Sequence, residues 1–390
     1  MRLAIVPSLL LLASCELLGL GAVPCETDDN CPEGQHCSTQ KVCLDGAASD
    51  AGSRDVAAAD AAGDAASSDA SAADQGAGQD AASGNDAGTG WACEMAPCIP
   101  MPDSRTLFCR LGDTDGPDSC PAVGTEMYGQ DGTYDFPRPS YRDLGNGAIE
   151  DLVTGVQWEQ VPPGAAGTYA AAQTRCENLS LASHDDWRLP TTAEVVGLLD
   201  FGTSSDAVAL DPTFFPAPST TGVWTTDGYN GFHWTVSQHR GDPVIQMDSG
   251  SYSYESRCAR GEVGWQGNLR FTAGTYVDRR SGLQWQSQHT ADQSLQQALA
   301  LCEGLSLASH DDWRLPSLKE METLVDRTDA HQSSPQTFAG IVDSTIANEY
   351  WTSTPATPPL YGFYTVSFDN GRHLSRYRSS SHYVRCVRGP

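Results

Sequence analysis

Apolar and polar residues alternate in two separate stretches of the chain, and both stretches predict a β-hairpin. They are "AIEDLVTGVQWEQ" and, further on, "GTYVDRRSGLQWQSQ". In the first, Asp151 starts the turn and Gly155 closes it; in the second, Asp278 and Gly282 take the same places. The alternation places the single Trp of each stretch on the face that packs against the core. We therefore expect each stretch to open a folded domain.

Each predicted hairpin is followed by a helical pattern. The apolar stripe of the first helix has matching members in the two stretches: Tyr169, Ala172, Cys176 and Leu179, then Leu295, Ala298, Cys302 and Leu305. A second helix is predicted directly after Pro190 and after Pro316, because each proline precedes a capping box, Thr191 to Glu194 or Ser317 to Glu320. The remainder of each stretch is aromatic and Gly-rich, which favours strands.

These elements belong to an internal repeat. Matching residues lie 126 to 128 positions apart: Trp158, Cys176, Trp187, Trp224 and Cys258 in copy one, and Trp285, Cys302, Trp313, Trp351 and Cys386 in copy two. A repeat of this length is a whole domain rather than one turn of a solenoid. We place copy one at residues 136–261, copy two at residues 262–390, and a Cys-containing lead-in at residues 91–135.

The longest identical stretch, "LSLASHDDWRLP", occurs at residues 179–190 and 305–316. One interpretation is a catalytic or metal site built on His184 with Asp185 or Asp186. Adjacent loop residues usually point apart, no further His recurs at matching positions in both copies, and the recurring cysteines suit disulfides better, so we favour a structural corner. The corner residues are Trp187, Arg188 and Pro190, with Trp313, Arg314 and Pro316 in copy two. We accordingly expect no catalytic residue, no metal site and no cofactor.

The net charge is −27, and it is not spread evenly along the chain. Residues 44–90 consist almost wholly of Ala, Asp, Ser and Gly, with Arg54 as the one basic residue. Such a composition offers too little apolar surface to offset chain entropy, so we expect a disordered linker. The acidity argues against a nucleic-acid partner.

The N-terminus predicts export. Arg2 precedes an apolar run from Leu3 to Leu12, which is too short to span a bilayer. The run leads into Leu-Ala-Ser-Cys, which resembles the lipobox of bacterial lipoproteins. We expect residues 1–15 to form the signal peptide, with Cys15 as the lipidated residue that anchors the protein in the outer membrane or at the cell surface. An ordinary secretory peptide cut near Ala22 is the alternative.

The chain has thirteen cysteines. If Cys15 carries the lipid, twelve remain, and these fall into groups of even number. Four lie at residues 25–43, four in the lead-in and two in each copy: Cys25, Cys31, Cys37, Cys43; Cys93, Cys98, Cys109, Cys120; Cys176, Cys258; Cys302, Cys386. Even groups in an exported chain predict disulfides. The uniform spacing at 25–43 fits a small disulfide-rich knot better than the paired cysteines of a zinc site.

Within each copy, one cysteine lies on the first predicted helix and the other on the last predicted strand. We therefore expect Cys176 to pair with Cys258, and Cys302 with Cys386. Such pairs would join the beginning of each copy to its end. Loops of this length contribute roughly 4–5 kcal/mol in the chain-entropy account of disulfide stabilisation.

Several motifs carry a resemblance to a known family. "DLVTGVQW", "DWRLPTTAEV" and "SRCARG" in copy one resemble the Lcl C-terminal domain family, as do "DRRSGLQW", "DWRLPSLKEM", "YWTS" and "YVRCVRG" in copy two and the stretch "CPAVGTEMYGQDGTYDF" before copy one. The resemblance implies an α+β fold with two tandem C-type-lectin-like domains, each with two helices and a twisted antiparallel sheet. It supplies no catalytic residue, and "WTTDG" and "WTSTP" do not match the motifs of a lectin calcium–sugar site.

The C-terminal run "DNGRHLSRYRSSSHYVRCVRG" is basic, whereas the matching run of copy one mixes acids and bases. Arg376 and Arg378 lie two apart in a predicted strand, with Arg372 across a turn, so the three are candidates for one ligand-binding face. Guanidinium groups on such a face bind sulfates, phosphates or carboxylates. The alternative is a solvated strand whose arginines pair with nearby acids.

The expected function is that of a non-catalytic envelope lipoprotein displaying two lectin-like modules. Its partners would be the membrane, through the lipid anchor, and an extracellular glycan, polyanion or protein. Tyr229, Phe232 and Trp234 are candidates for stacking on a sugar, although core packing suits them better. The alternatives are an envelope scaffold and an enzyme with the fold of the formylglycine-generating enzymes, which depend on a reactive cysteine pair.

Overall fold

The computed structural model describes a defined part of the chain, which divides into two compact units at residues 1–78 and 79–390. Several predicted features lie outside the described residues: the export signal with Cys15, the linker beyond residue 45, Cys93 and Cys98. The described residues are 99, 101–112, 118–134, 136–164, 167–202, 209–216, 219, 222–238, 245–261, 269–325, 327, 349–356, 361–368 and 371–389, with the backbone of 35–37 and 43–45.

The first unit contains a short hairpin in the Cys-rich segment. β1 (Gln35–Cys37) pairs antiparallel with β2 (Cys43–Asp45), and Cys37 lies opposite Cys43. The side chains of this segment lie outside the described residues, so the disulfides expected at residues 25–43 stay a prediction.

Copy one forms two antiparallel sheets, in the orders β3-β4-β5-β9 and β6-β7-β8. The first sheet joins the opening hairpin to the last strand of the copy. The described elements are β3 (Tyr141–Asp143), β4 (Ala148–Asp151), β5 (Gln157–Glu159), α1 (Tyr169–Glu177), α2 (Thr192–Leu198), β6 (Val223–Tyr229), β7 (Phe232–Val236), β8 (Ile245–Asp248) and β9 (Ala259–Arg260).

Copy two repeats this plan. Its described elements are β10 (Leu269–Thr272), β11 (Thr275–Asp278), β12 (Gln284–Gln286), β13 (Thr290–Gln293), α3 (Leu295–Glu303), α4 (Leu318–Glu322), β14 (Glu349–Pro355), β15 (Phe363–Ser367), β16 (His373–Arg376), β17 (His382–Val384) and β18 (Val387–Arg388). The sheets have the orders β10-β11-β12-β18 and β13-β17-β14-β15-β16. No helix among the described residues is long and apolar enough to cross a membrane.

The architecture is mixed α+β with tandem copies, as predicted, but the described residues of each copy form two sheets instead of the one sheet expected. The reason is that the opening hairpin pairs with the last strand and closes a small sheet of its own, through β5 with β9 and β12 with β18. The aromatic half of each copy forms the second sheet. In copy two this second sheet is not wholly antiparallel, because β17 runs parallel to β14.

Asp151 and Asp278 fix matching hairpin turns, as the sequence predicts. The Asp151 carboxylate accepts hydrogen bonds from the amides of Val153 and Thr154 at 2.9 and 3.3 Å. Gly155 donates its amide to the Asp151 carbonyl at 2.8 Å and has a φ of 75°, a left-handed conformation that favours glycine. Asp278 makes the same set of contacts in copy two.

The second helix of each copy begins with the predicted capping box. Thr191 accepts from the amide of Glu194, and the Glu194 carboxylate accepts from the amide of Thr191. Ser317 and Glu320 exchange the same two hydrogen bonds. These bonds satisfy amides that a helix leaves without partners in its first turn, which fixes where both helices start.

Among the described residues of the second unit, three disulfides are formed. Cys176 bonds to Cys258 and Cys302 to Cys386, the two pairs that the sequence predicts, and each pair joins the first helix of a copy to its end. The third bond, Cys109 to Cys120, closes a loop within the lead-in.

Both copies contribute to one large hydrophobic cluster, and each copy also has a smaller cluster of its own. Val195 and Leu198 of α2 lie in the same buried cluster as Leu318 and Met321 of α4. The indole of Trp234 in copy one lies against the guanidinium of Arg327 in copy two, which is 5.3 Å from the ring centre. The copies are tandem in sequence and fused in their packing.

The lead-in holds both copies. Its Ser104 carbonyl accepts from the amide of Phe201 in copy one at 2.9 Å. Its Asp103 carbonyl accepts from the ammonium of Lys319 in copy two at 2.7 Å. Asp131, in a 3-10 turn at Asp131–Thr133, accepts from the hydroxyl of Thr354 in copy two. The contacts of the lead-in therefore reinforce the seam between the copies.

Candidate functional site

The repeated motif forms a tight turn with an unusual backbone. Leu181 and His184 pair across it, and the two residues between them, Ala182 and Ser183, have φ values of 56° and 64°. Copy two repeats this conformation with φ values of 53° and 64°. The buried Trp187 donates its indole N–H to the Leu181 carbonyl at 3.2 Å, and Trp313 donates to the Leu307 carbonyl at the same distance. The conserved geometry of the two turns is thus held by a core tryptophan.

The charged residues of the motif pair with other parts of the same copy. Arg188 forms a bidentate ion pair with Glu194, at 2.8 and 2.6 Å, and its backbone pairs with that of Ala259. Asp186 binds the guanidinium of Arg260 at 2.7 and 3.1 Å. Copy two has the same arrangement: Arg314 with Glu320, and Asp312 with Arg388. The motif thus connects the first helix, the second helix and the last strand.

His184 and Asp185 lie on the outside of this corner, where both are exposed. Across the described residues, no group of three or more His, Cys, Asp or Glu side chains is placed to hold a metal ion. The geometry of Trp187, Arg188 and Pro190 agrees with the structural interpretation of the motif.

The basic residues near the C-terminus do not form the face that strand alternation predicts. Arg376 forms a bidentate ion pair with Glu349, at 2.7 and 2.6 Å. Arg378 lies beyond the end of β16, in a turn, and donates to the carbonyl of Leu111 in the lead-in. The alternation of side chains along a strand therefore does not place Arg378 on the same side as Arg376. Arg372 is exposed near the hairpin turn between β15 and β16.

The three predicted aromatic candidates of copy one have different positions. Trp234 is buried, so core packing is its role. Phe232 is 37% exposed at the start of β7. The side chain of Tyr229 lies outside the described residues.

A more extensive aromatic surface lies beside these positions. The rings of Tyr169 and His233 stack with their centres 3.3 Å apart, and the buried Trp224 lies beneath, edge-on to Tyr169 at 5.7 Å and to Tyr254 at 4.9 Å. Tyr252, near Tyr254, is 66% exposed. We call Tyr169, His233, Tyr252 and Tyr254 the aromatic face. The sequence signal for it is the Tyr at position 169, on a helix stripe where copy two has Leu295.

A polar loop borders the aromatic face. Asp248 accepts from the amide of Gly250 at 2.8 Å, and the hydroxyls of Ser249 and Ser251 are 2.8 Å apart. Gly250 has a φ of 79°, and a Cβ at this position would lie 3.2 Å from the His233 ring, so the loop approaches the ring only with glycine. The face thus combines aromatic rings with carboxylate and hydroxyl oxygens.

Burial sets the protonation of the aromatic face. It lowers the pKa of His233, an effect that the nearby Asp248 carboxylate opposes. It also raises the pKa of Tyr169 and of Tyr254. The phenols are therefore neutral at neutral pH, and the imidazole is biased towards its neutral form, so the rings present hydrogen-bonding groups of little charge.

The matching surface of copy two is closed. Leu295 replaces Tyr169 and is fully buried. Phe363, opposite Pro355 in its hairpin, corresponds to His233, opposite Gly228, and is also fully buried. His382 replaces Tyr254 and lies 3.5 Å from Glu349.

Comparison with known proteins agrees with the repeat and its motifs. The Lcl C-terminal domain family matches residues 147–261 and, a second time, residues 274–388. No curated protein matches the chain. Both matched segments begin at the opening hairpin and end at the last strand of a copy. The chain therefore belongs to the Lcl C-terminal domain family, which it contains as two tandem copies.

Proposed function

We propose that this protein is a non-catalytic binding protein of the bacterial cell envelope, and that the aromatic face of copy one binds a neutral glycan. The observation that carries the proposal is the stacked pair of Tyr169 and His233, with the exposed Tyr252 on the adjoining polar loop. Aromatic rings pack against the apolar faces of sugar rings, and polar groups at the edge bind the hydroxyls. Asp248, Ser249 and Ser251 supply such groups at this border.

The aromatic face is better suited to a neutral glycan than the C-terminal arginines are to a polyanion. Arg376 already satisfies its charge with Glu349, and Arg378 donates to a backbone carbonyl. An ion pair with an internal carboxylate has to be broken before Arg376 binds a sulfate bidentately. The aromatic face requires no such exchange.

The lectin-like character of the copies is part of the proposal. Three features of each copy support it: the pair of helices, the opening hairpin that pairs with the last strand, and the disulfide that joins the first helix to the end of the copy. The enzyme alternative needs a reactive cysteine pair. The four copy cysteines are fully buried in disulfides, which favours a structural role for them.

The envelope location is proposed from the lipobox. Cys15→Ser is expected to release the protein from the membrane fraction and to abolish lipid labelling. A wild-type protein that is already released and begins near residue 23 would contradict the anchor.

A glycan array probed with the full exported chain tests the binding proposal. Neutral glycans are expected to bind the wild type. Tyr169→Leu, which places the residue of copy two in copy one, is expected to lose these signals because the stacked ring is gone. Tyr377→Ala removes an exposed Tyr of copy two and serves as the control. Binding confined to sulfated polymers, and lost in Arg372→Glu, would contradict the proposal in favour of the basic residues.

A further inference from the structure

A cleft of about 360 Å³ lies between the lead-in and the first helix of copy two. Residues 123–128 of the lead-in form one wall, and the exposed side of α3 with Glu303 forms the other. Leu299 and Met127, both buried, lie at its apolar base. Its volume lies within the range of clefts that hold small ligands or single side chains. We call it the lead-in cleft.

The walls of the lead-in cleft are braced. The buried Gln130 side chain donates to the carbonyls of Met127 and Arg110, at 2.9 and 3.0 Å, and accepts from the Arg110 amide at 2.8 Å. Tyr134 donates its hydroxyl to Glu303, which connects the lead-in to α3. A cleft held in this way loses little conformational freedom when a ligand enters.

The charged residues that line the lead-in cleft are acidic, and Arg314, the cation that acts on Glu303, is itself paired with Glu320. Glu126 and Glu303 supply two carboxylates, and the described residues that line the cleft include no Lys, Arg or His. The lining also includes the C-terminal end of α3, where the helix dipole adds negative potential and stabilises cations. Tyr128 also lines the cleft, near Glu303, and an aromatic ring close to a carboxylate suits a cation.

We propose that the lead-in cleft binds a primary ammonium group carried on an aliphatic stem. The stem packs against Leu299 and Met127, and the ammonium group pairs with Glu303 beside the Tyr128 ring. A free alkylamine and a lysine side chain of another protein share this chemistry. The proposal is independent of glycan binding by copy one and adds a second site of different chemistry.

Copy one provides the matched control for this site. Glu177 corresponds to Glu303, and Gln173 corresponds to Leu299. Both are exposed, and Gln173 donates to Glu177 at 2.8 Å. Copy one therefore has the carboxylate but not the apolar base.

Calorimetric titration of the full exported chain with 1,5-diaminopentane tests the proposal, with 1,5-pentanediol as the uncharged analogue. The diamine is expected to bind, the diol is not, and the affinity is expected to fall as salt rises. Glu303→Gln should weaken diamine binding at least about tenfold, because it removes the charge partner. Ala300→Phe, at an exposed position of the lining, should block binding without touching the Tyr134 hydrogen bond.

Glu177→Gln is expected to leave diamine binding unchanged. Equal binding of diol and diamine, an equal loss in Glu177→Gln, or no diamine binding at millimolar concentration would overturn the proposal. Nα-acetyl-lysine methylamide, compared with its norleucine analogue, identifies the source. Binding of the lysine compound assigns the cleft to a protein side chain, whereas binding of the diamine alone assigns it to a free amine.

Discussion

The two copies have the same backbone plan but differ in what covers their first helix. On α3 of copy two, Leu299 is buried in one cluster with Met127 of the lead-in. At the matching position of α1, copy one has Gln173, which is exposed. Arg314 shows the same difference: its side chain is 6% exposed beneath Tyr134, whereas that of Arg188 is 33% exposed. The lead-in contacts both copies, but it covers the first helix of copy two and leaves the first helix of copy one open.

The aromatic residues follow the same division. Tyr169 and His233 of copy one are partly open to solvent, and their counterparts in copy two, Leu295 and Phe363, belong to the closed core. A duplicated scaffold thus has one copy that completes the fold and one that presents a surface.

The largest effect is expected from the disulfides, which the copies share. Cys176→Ala with Cys258→Ala, or Cys302→Ala with Cys386→Ala, should each lower the free energy of unfolding by about 4–5 kcal/mol, because a long loop is released in the unfolded chain. Denaturant unfolding measures the change. The two copies share their largest hydrophobic cluster, so we expect a single transition in each variant. Two separate transitions, one for each copy, would contradict the fused core.

The second largest effect on stability is expected from Trp187 and Trp313, the tryptophans of the repeated motif. Trp187→Ala and Trp313→Ala should each lower the free energy of unfolding by about 3–5 kcal/mol, since each removes a buried aromatic side chain. His184→Ala, at an exposed position, is the control and should change it by about 0.5 kcal/mol or less. A tightly bound metal ion that is lost in His184→Ala would reverse the structural interpretation of the motif.

The packing of the lead-in on α3 should make substitutions on the first helix more costly in copy two than in copy one. Leu299→Ala should lower the free energy of unfolding by about 2–3 kcal/mol, because it opens a cavity beneath the lead-in. Gln173→Ala in copy one should change it by about 0.5 kcal/mol or less. Thermal unfolding of both variants checks the pair. Equal effects at the two positions would mean that the lead-in does not distinguish the copies.

The free energy of unfolding should depend weakly on pH through Asp131, which connects the lead-in to copy two. Burial raises the pKa of Asp131 to about 6 from an ordinary value of 3.8. The folded state therefore binds the proton more tightly than the unfolded chain, and this group stabilises the fold as pH falls from about 6 towards 3.8. Between pH 6 and pH 5 the gain is about 1 kcal/mol.

Asp131→Asn should remove this component of the pH dependence. The measurement is the difference in unfolding free energy between the wild type and the variant at the two pH values. Other carboxylates contribute equally to both proteins and cancel. A difference that stays constant between pH 6 and pH 5 would show that Asp131 does not titrate in this range.

The sequence predicts the features with local causes. The Asp turns, the capping boxes and the disulfide pairs follow from residues close in sequence or from the repeat itself. Lys319 illustrates what it does not predict. A helical Lys ordinarily faces solvent, yet Lys319 is buried because two backbone carbonyls, of Asp103 and Gly197, come from the lead-in and from copy one.

The candidate sites were less predictable for the same reason. Tyr169 lies on the predicted apolar stripe, but its exposure depends on how the loop around Gly250 packs. Arg376 and Arg378 look equivalent in an alternating strand, whereas the strand ends between them. Both outcomes depend on contacts between residues distant in sequence, which no local pattern encodes.

The most direct test of the account is the affinity of the neutral glycan that binds best on the array, measured by calorimetry for three proteins. They are the full exported wild-type chain, Tyr252→Ala and Tyr377→Ala, which remove an exposed Tyr from copy one and from copy two. We expect Tyr252→Ala to weaken binding about tenfold, equivalent to about 1.4 kcal/mol, and Tyr377→Ala to leave it unchanged. Unchanged affinity in Tyr252→Ala, or an equal loss in Tyr377→Ala, would contradict the assignment of glycan binding to copy one.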